Sequence, residues 1–156
     1  MNKWSAGLLA GFIATLVASL LMMIKAAMGM VPEFNAIAGN AQIFNRIGLG
    51  GSPAWGWIWH FVIGTAGWGL LYAALTDKLP GGNAAVKGLV FGVIVWLLMM
   101  VIWMPLAGNG FFAMPEPGPM AMGLALMVHL VFGLVLGPVY ARFAGGNGGD
   151  TGSAGG

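Results

Sequence analysis

A chain of 156 residues that is 59% hydrophobic and 6% charged lies far from the soluble domains, in which about a quarter of residues carry charge. Its six basic and four acidic residues form no run that could grip nucleic acid. The absence of Cys excludes disulfides, thiolate nucleophiles, thiolate zinc sites and Cys-held iron–sulfur clusters. The main solvent of such a chain is a lipid bilayer.

The first apolar stretch, Ser5 to Ile24, can cross a hydrocarbon core, which needs ~20 apolar residues at ~1.5 Å rise. Met1-Asn-Lys-Trp4 ahead of it also fits the start of a signal peptide. The run is longer than the ~7 to 15 residues of a signal core, and it has a counterpart later in the chain, so a retained helix over about 5–28 is expected. Next comes a segment too polar to span. Pro32 suits a first helical position and Glu33 the positive end of a helix dipole. Phe34, Ile37, Ala41, Phe44 and Gly48 follow at spacings of three or four, with Asn35, Gln42, Asn45 and Arg46 mainly off that stripe. This pattern predicts a short interfacial helix between the first two spans.

The second span is expected over about 54–77, with Trp55, Trp57 and Trp59 at its outer end as part of an aromatic belt that Trp4 and Trp103 continue. The third is expected over about 86–104, where Pro105 and the Gly108-Asn109-Gly110 turn end it. The fourth is expected over about 119–143, and the Gly-rich residues 144–156 form a tail with nothing to bury, expected to be flexible. The fold class is therefore an all-α membrane protein with one domain over 1–143. Lys3, Lys78, Lys87 and Arg142 share the side that holds both termini, against Lys25 and Arg46 opposite, so the positive-inside rule puts both termini in the cytoplasm.

The chain also repeats itself, over about 6–77 and 86–143. Gly7-Leu-Leu-Ala-Gly11, Leu20-Leu-Met-Met23, Val31-Pro-Glu33, His60-Phe-Val-Ile-Gly64 and Tyr72-Ala73 are answered in order by Gly88-Leu-Val-Phe-Gly92, Leu97-Leu-Met-Met100, Met114-Pro-Glu116, His129-Leu-Val-Phe-Gly133 and Tyr140-Ala141. Each unit crosses twice, so these are parallel repeats, two helical hairpins about an axis along the membrane normal.

Between helices in lipid, small residues mark the contact faces. Gly7, Gly11, Thr15 and Ser19 form one such stripe, Gly56, His60 and Gly64 a second, and Ala121, Ala125, His129, Gly133 and Gly137 a third. Both histidines thus lie on helix-packing faces. Their ordinary role there is a hydrogen bond that fixes helix register; the sharper alternative is a pair of ligands for haem b or a metal ion. Counted from the helix starts, the two rings differ by ~6 Å in depth, which disfavours shared ligation. Met22-Met23 and Met99-Met100 are soft enough for Cu(I), but neighbours in a helix face apart, so they read as apolar filler. Glu33 and Glu116 read either as a polar mouth for a cation or proton path or as helix-start residues in the interface. No span carries Asp, Glu or Arg in its interior, and no nucleophile, base and orienting acid can be assembled, so no enzyme is expected.

Lys25-Ala-Ala-Met-Gly29 with Pro32-Glu33, His60-Phe-Val-Ile-Gly-Thr65, Lys87 to Gly92 through Met104-Pro-Leu-Ala-Gly108, and His129 to Gly133 with Gly137 and Tyr140 together give a pattern over about residues 6–143. In this the chain resembles a family of uncharacterised small bacterial inner-membrane proteins, a domain-of-unknown-function group with four predicted helices. The resemblance implies the helical bundle and brings no activity or site residue with it. The leading expectation is a non-catalytic accessory or assembly subunit, without a cofactor, whose small-residue and Trp-rich faces meet lipid and other membrane subunits or a second copy. A haem b or metal-binding protein and a small channel or carrier are the alternatives.

Overall fold

Inside a bilayer no water can satisfy backbone N–H and C=O groups, so each crossing must close its hydrogen bonds within a helix. The computed structural model describes residues 1–114 and 116–145, and among these it is all helical, with no strand. The helices are α1 (Lys3–Ala27), α2 (Ala36–Arg46), α3 (Pro53–Leu75), α4 (Ala84–Ala107) and α5 (Pro119–Ala144). All but α2 are long and apolar enough to span a membrane. Residues 146–156 of the expected tail and Pro115 of the second Pro-Glu pair lie outside the described residues.

Side chains set the starts. Asn2 accepts a hydrogen bond from the Ser5 N–H and Asn83 from the Val86 N–H, each at 2.9 Å, while Ser52 caps α3 ahead of Pro53. The interfacial helix begins later than Pro32 and Glu33 suggest. Its cap is Asn35, which accepts from the Ala38 N–H at 3.0 Å, so the chain is helical only from Ala36. α4 runs past Met104 to Ala107, where Gly108 (φ 92°) ends it. It does so through a π segment, Met99–Trp103, placed where a proline ring at 105 would otherwise press on the preceding turn. A second π segment, Ile63–Trp68, lies in α3.

The sorting of residues is that of a membrane bundle, small inside and large outside. On α1, Ala6, Ala10, Ala14 and Ala18 are buried, while Leu8, Phe12, Leu16 and Leu20 are exposed by 39 to 59%. An outward stripe of that kind belongs in hydrocarbon.

The end of the bundle that carries the termini will be called the terminal end, and the opposite end the far end. α1 lies against α3 on one side and α5 on the other, and α4 packs along α5. Backbones touch where glycines allow it. A Cβ on Gly7 would sit 2.6 Å from the Gly69 carbonyl oxygen, and one on Gly11 would sit 2.7 Å from that of Thr65 and 2.8 Å from that of Gly64. Gly88 and Gly92 meet the carbonyls of Gly133 and His129 in the same manner, and Gly137 meets that of Ala84. Tyr72, Phe91, Leu136 and Tyr140 fill the terminal end of the axis, the two tyrosine rings edge to face at 5.3 Å.

α3 and α4 have no extended approach of this kind among the described residues. They meet through aromatic rings at two levels: Tyr72 on Phe91 at 5.2 Å towards the terminal end, and Trp59 stacked on Trp103 at 6.0 Å towards the far end. α2 lies over the far end of α3, where the Ile37 carbonyl touches Gly56 and Phe44 stacks on Trp55 at 5.4 Å.

Candidate functional site

Because α3 and α4 stay apart between those two aromatic contacts, the far half of the bundle encloses a cavity of about 930 Å³, walled by all four long helices and α2. That is near the upper end of the ~300–1,000 Å³ typical of small-molecule and cofactor sites. Its walls are mostly apolar and aromatic, with Met22, Trp57, Trp68, Met99, Trp103 and Phe132 among them. Both His60 and His129 line it.

Each imidazole has one nitrogen fixed by the protein. His129 Nδ1 lies 2.7 Å from the Ala125 carbonyl oxygen. A carbonyl can only accept, so Nδ1 carries the proton and Nε2 keeps its lone pair. His60 Nε2 lies 3.0 Å from Ser19 Oγ, and Ser19 spends its own hydroxyl proton on the Thr15 carbonyl at 2.7 Å. His60 Nε2 is therefore the donor, and its Nδ1 is the bare nitrogen. In α1 the small-residue stripe thus supplies contact surface at Gly7 and Gly11, and polar support for a ring at Ser19. The edge of Trp57 also packs on His60, with centroids 5.8 Å apart.

Gly64, four residues beyond His60, meets Gly11; Gly133, four beyond His129, meets Gly88. Each ring thus lies one turn farther towards the far end than a glycine crossing.

The carboxylates expected as a mouth are elsewhere. Glu33 and Glu116 are both exposed, and neither lines the cavity. Among the described residues no group of three or more His, Asp or Glu side chains is assembled, so a bare metal ion would find too few protein ligands.

Two polar residues at the far end went unrecognised in the sequence. Asn40 is buried, with its Oδ1 accepting from Trp103 Nε1 at 2.8 Å and its Nδ2 donating to the Gly56 carbonyl at 3.4 Å. One amide thereby ties α4 to α3 over the cavity. Its place three residues after Ile37 and four before Phe44, inside the apolar stripe of α2, was the available signal. Lys25, counted in the sequence as a charge opposite the termini, bonds the carbonyls of Val31 and Phe34 and lies 5.3 Å from the centre of the Phe34 ring.

A model described as a family of unknown function (DUF6789) matches residues 1–150. The chain belongs to this family. The match takes in all four long helices and therefore every wall of the cavity. No curated protein and no solved structure matches. For this member of the DUF6789 family, then, function has to be read from the cavity itself.

Proposed function

We propose that this chain is a membrane-embedded binding protein for a flat lipophilic cofactor, haem b or a close relative, held in the far-end cavity with His129 as its axial base. The observation that carries the reading is the Nδ1–H bond from His129 to Ala125, which fixes the tautomer and leaves Nε2 bare in an apolar cavity of about 930 Å³. A supporting hydrogen bond on the second ring nitrogen is the usual way in which a ligating imidazole is oriented and made more basic. Two imidazoles suit a bare ion poorly, whereas haem brings its own equatorial nitrogens and needs only axial bases. His60, held on Ser19 and lining the same cavity, would be the second residue within reach of the group.

An accessory subunit needs small-residue and aromatic faces left over for a partner. Here Gly7, Gly11, Gly64, Gly88, Gly133 and Gly137 are spent on contacts within the chain, and Trp59 and Trp103 on each other. A channel needs a path through the axis, which Tyr72, Phe91, Leu136 and Tyr140 fill at the terminal end. In this reading the two hairpins are copies of one unit, and the positive-inside rule puts both termini in the cytoplasm of a bacterial inner membrane. The cavity then opens in the outer leaflet.

The test is absorption spectroscopy with metal analysis of the protein purified in mild detergent, before and after addition of haemin. A Soret band with stoichiometric iron is expected. Protein that keeps its full helicity and stays spectrally silent through the titration sinks the reading.

A further inference from the structure

Among the described residues the cavity has one charged side chain on its walls, Lys25 in the last turn of α1. Its ammonium has three N–H donors. Two are spent on the carbonyls of Val31 and Phe34, and no protein group takes the third among the described residues. The ammonium feels the charge of one carboxylate, Glu33, which is exposed and does not line the cavity. The bonds to the two carbonyls orient the ammonium without neutralising it. A neutral ligand filling the cavity would strip water from that charge and return nothing, whereas an anionic oxygen on the ligand would take the third N–H as a charge-assisted bond. Asn35, Asn40 and Gln42, which also line the cavity, are uncharged, and the Glu33 carboxylate stands off its walls in the exposed segment before Phe34.

We infer that the ligand is amphipathic, an apolar body lying in the cavity and a carboxylate received by Lys25 at its far mouth. The inference deepens the haem reading and rests on it for the identity of the body: haem b carries propionates on one edge, so a single ligand satisfies both a bare imidazole and a lone ammonium.

The experiment compares the full chain in detergent with haemin and with haemin dimethyl ester, in which the carboxylates are masked. A second pair of probes, oleate and methyl oleate, poses the same question without a metal. Wild-type protein should bind each acid about tenfold more tightly than its ester, the worth of one charge-assisted hydrogen bond. Lys25→Gln should lose that preference without moving the Soret maximum, and Lys25→Arg should keep it; circular dichroism checks that both variants are folded. Equal affinity of the wild type for acid and ester, or a preference that survives in Lys25→Gln, overturns the inference while leaving the haem reading in place. If haemin and its ester both fail to bind but oleate is chosen over methyl oleate through Lys25, the inference stands and the haem reading falls. If no probe binds, both fall.

Discussion

Replacing Gly133 by Ala should destabilise the bundle by about 1–3 kcal/mol or more, the usual cost of forcing an added methyl into a packed contact. A Cβ at this position would run into the carbonyl oxygen of Gly88 and lie 2.8 Å from its carbon, and both are backbone atoms that no rotamer change can remove. α4 would have to move away from α5 along the longest contact in the fold. Gly123, on the same helix, is the matched control: nothing lies within 4 Å of a Cβ there. Ala at 123 should stabilise the helix by roughly 0.5–1 kcal/mol, because a glycine in a helix interior costs backbone entropy. Thermal melts of the two variants in one detergent, followed by circular dichroism, should therefore move in opposite directions. Equal and small shifts would mean that the α4–α5 contact is looser than described.

The second large effect concerns His129. If it is the axial base, His129→Ala should weaken haem binding by more than about 100-fold, since losing only a supporting hydrogen bond to a metal ligand costs ~10–100-fold. The Soret band at stoichiometric haem should then be lost. His60→Ala should retain the band and shift it, because the ring removed lines the same cavity and is held on Ser19. The substitution at 129 should leave the fold intact: it frees the Ala125 carbonyl from a side chain while leaving the helix around it, so no buried donor is orphaned. The reverse pattern, with the band lost in His60→Ala and kept in His129→Ala, would exchange the two roles.

Much of this site was legible in the sequence. Small residues at every fourth position in three spans put His60 and His129 on inner faces, and hydropathy placed all four crossings. Which glycines meet which was not legible. Glycines recurring every four residues still align after a slip of one turn, so Gly7 and Gly11 can be laid on Gly88 and Gly92. In the structure it is Gly11 that meets Gly64 and Gly69 as Gly88 meets Gly133 and Gly137, and Thr15 lies against Gly64 where Gly92 lies against Gly133. Laid in that register, Leu20-Leu-Met-Met23 falls on Leu97-Leu-Met-Met100 without a gap. The cavity itself was beyond reach of the sequence, because an empty volume records how far helices splay and not what they are made of. Trp59 and Trp103 fitted an interfacial belt equally well, and only their stacking across α3 and α4 shows that they close the far end of a gap.

The π segment in α3 has a consequence for how this chain can change length. Tyr72 follows His60 by twelve residues, while Tyr140 follows His129 by eleven, and Ile63–Trp68 lies within the longer interval. In an ordinary helix, removing one residue turns everything beyond it by about 100°, which would carry Tyr72 out of the core and Gly69 away from Gly7. Removing Ala66 instead takes out the surplus residue of a widened turn, so α3 can close to regular geometry with His60 and Tyr72 still on their present faces. The first hairpin thus holds one residue of slack beside the cavity, and a single-residue deletion that would be ruinous at Val128 in α5 should be survivable here.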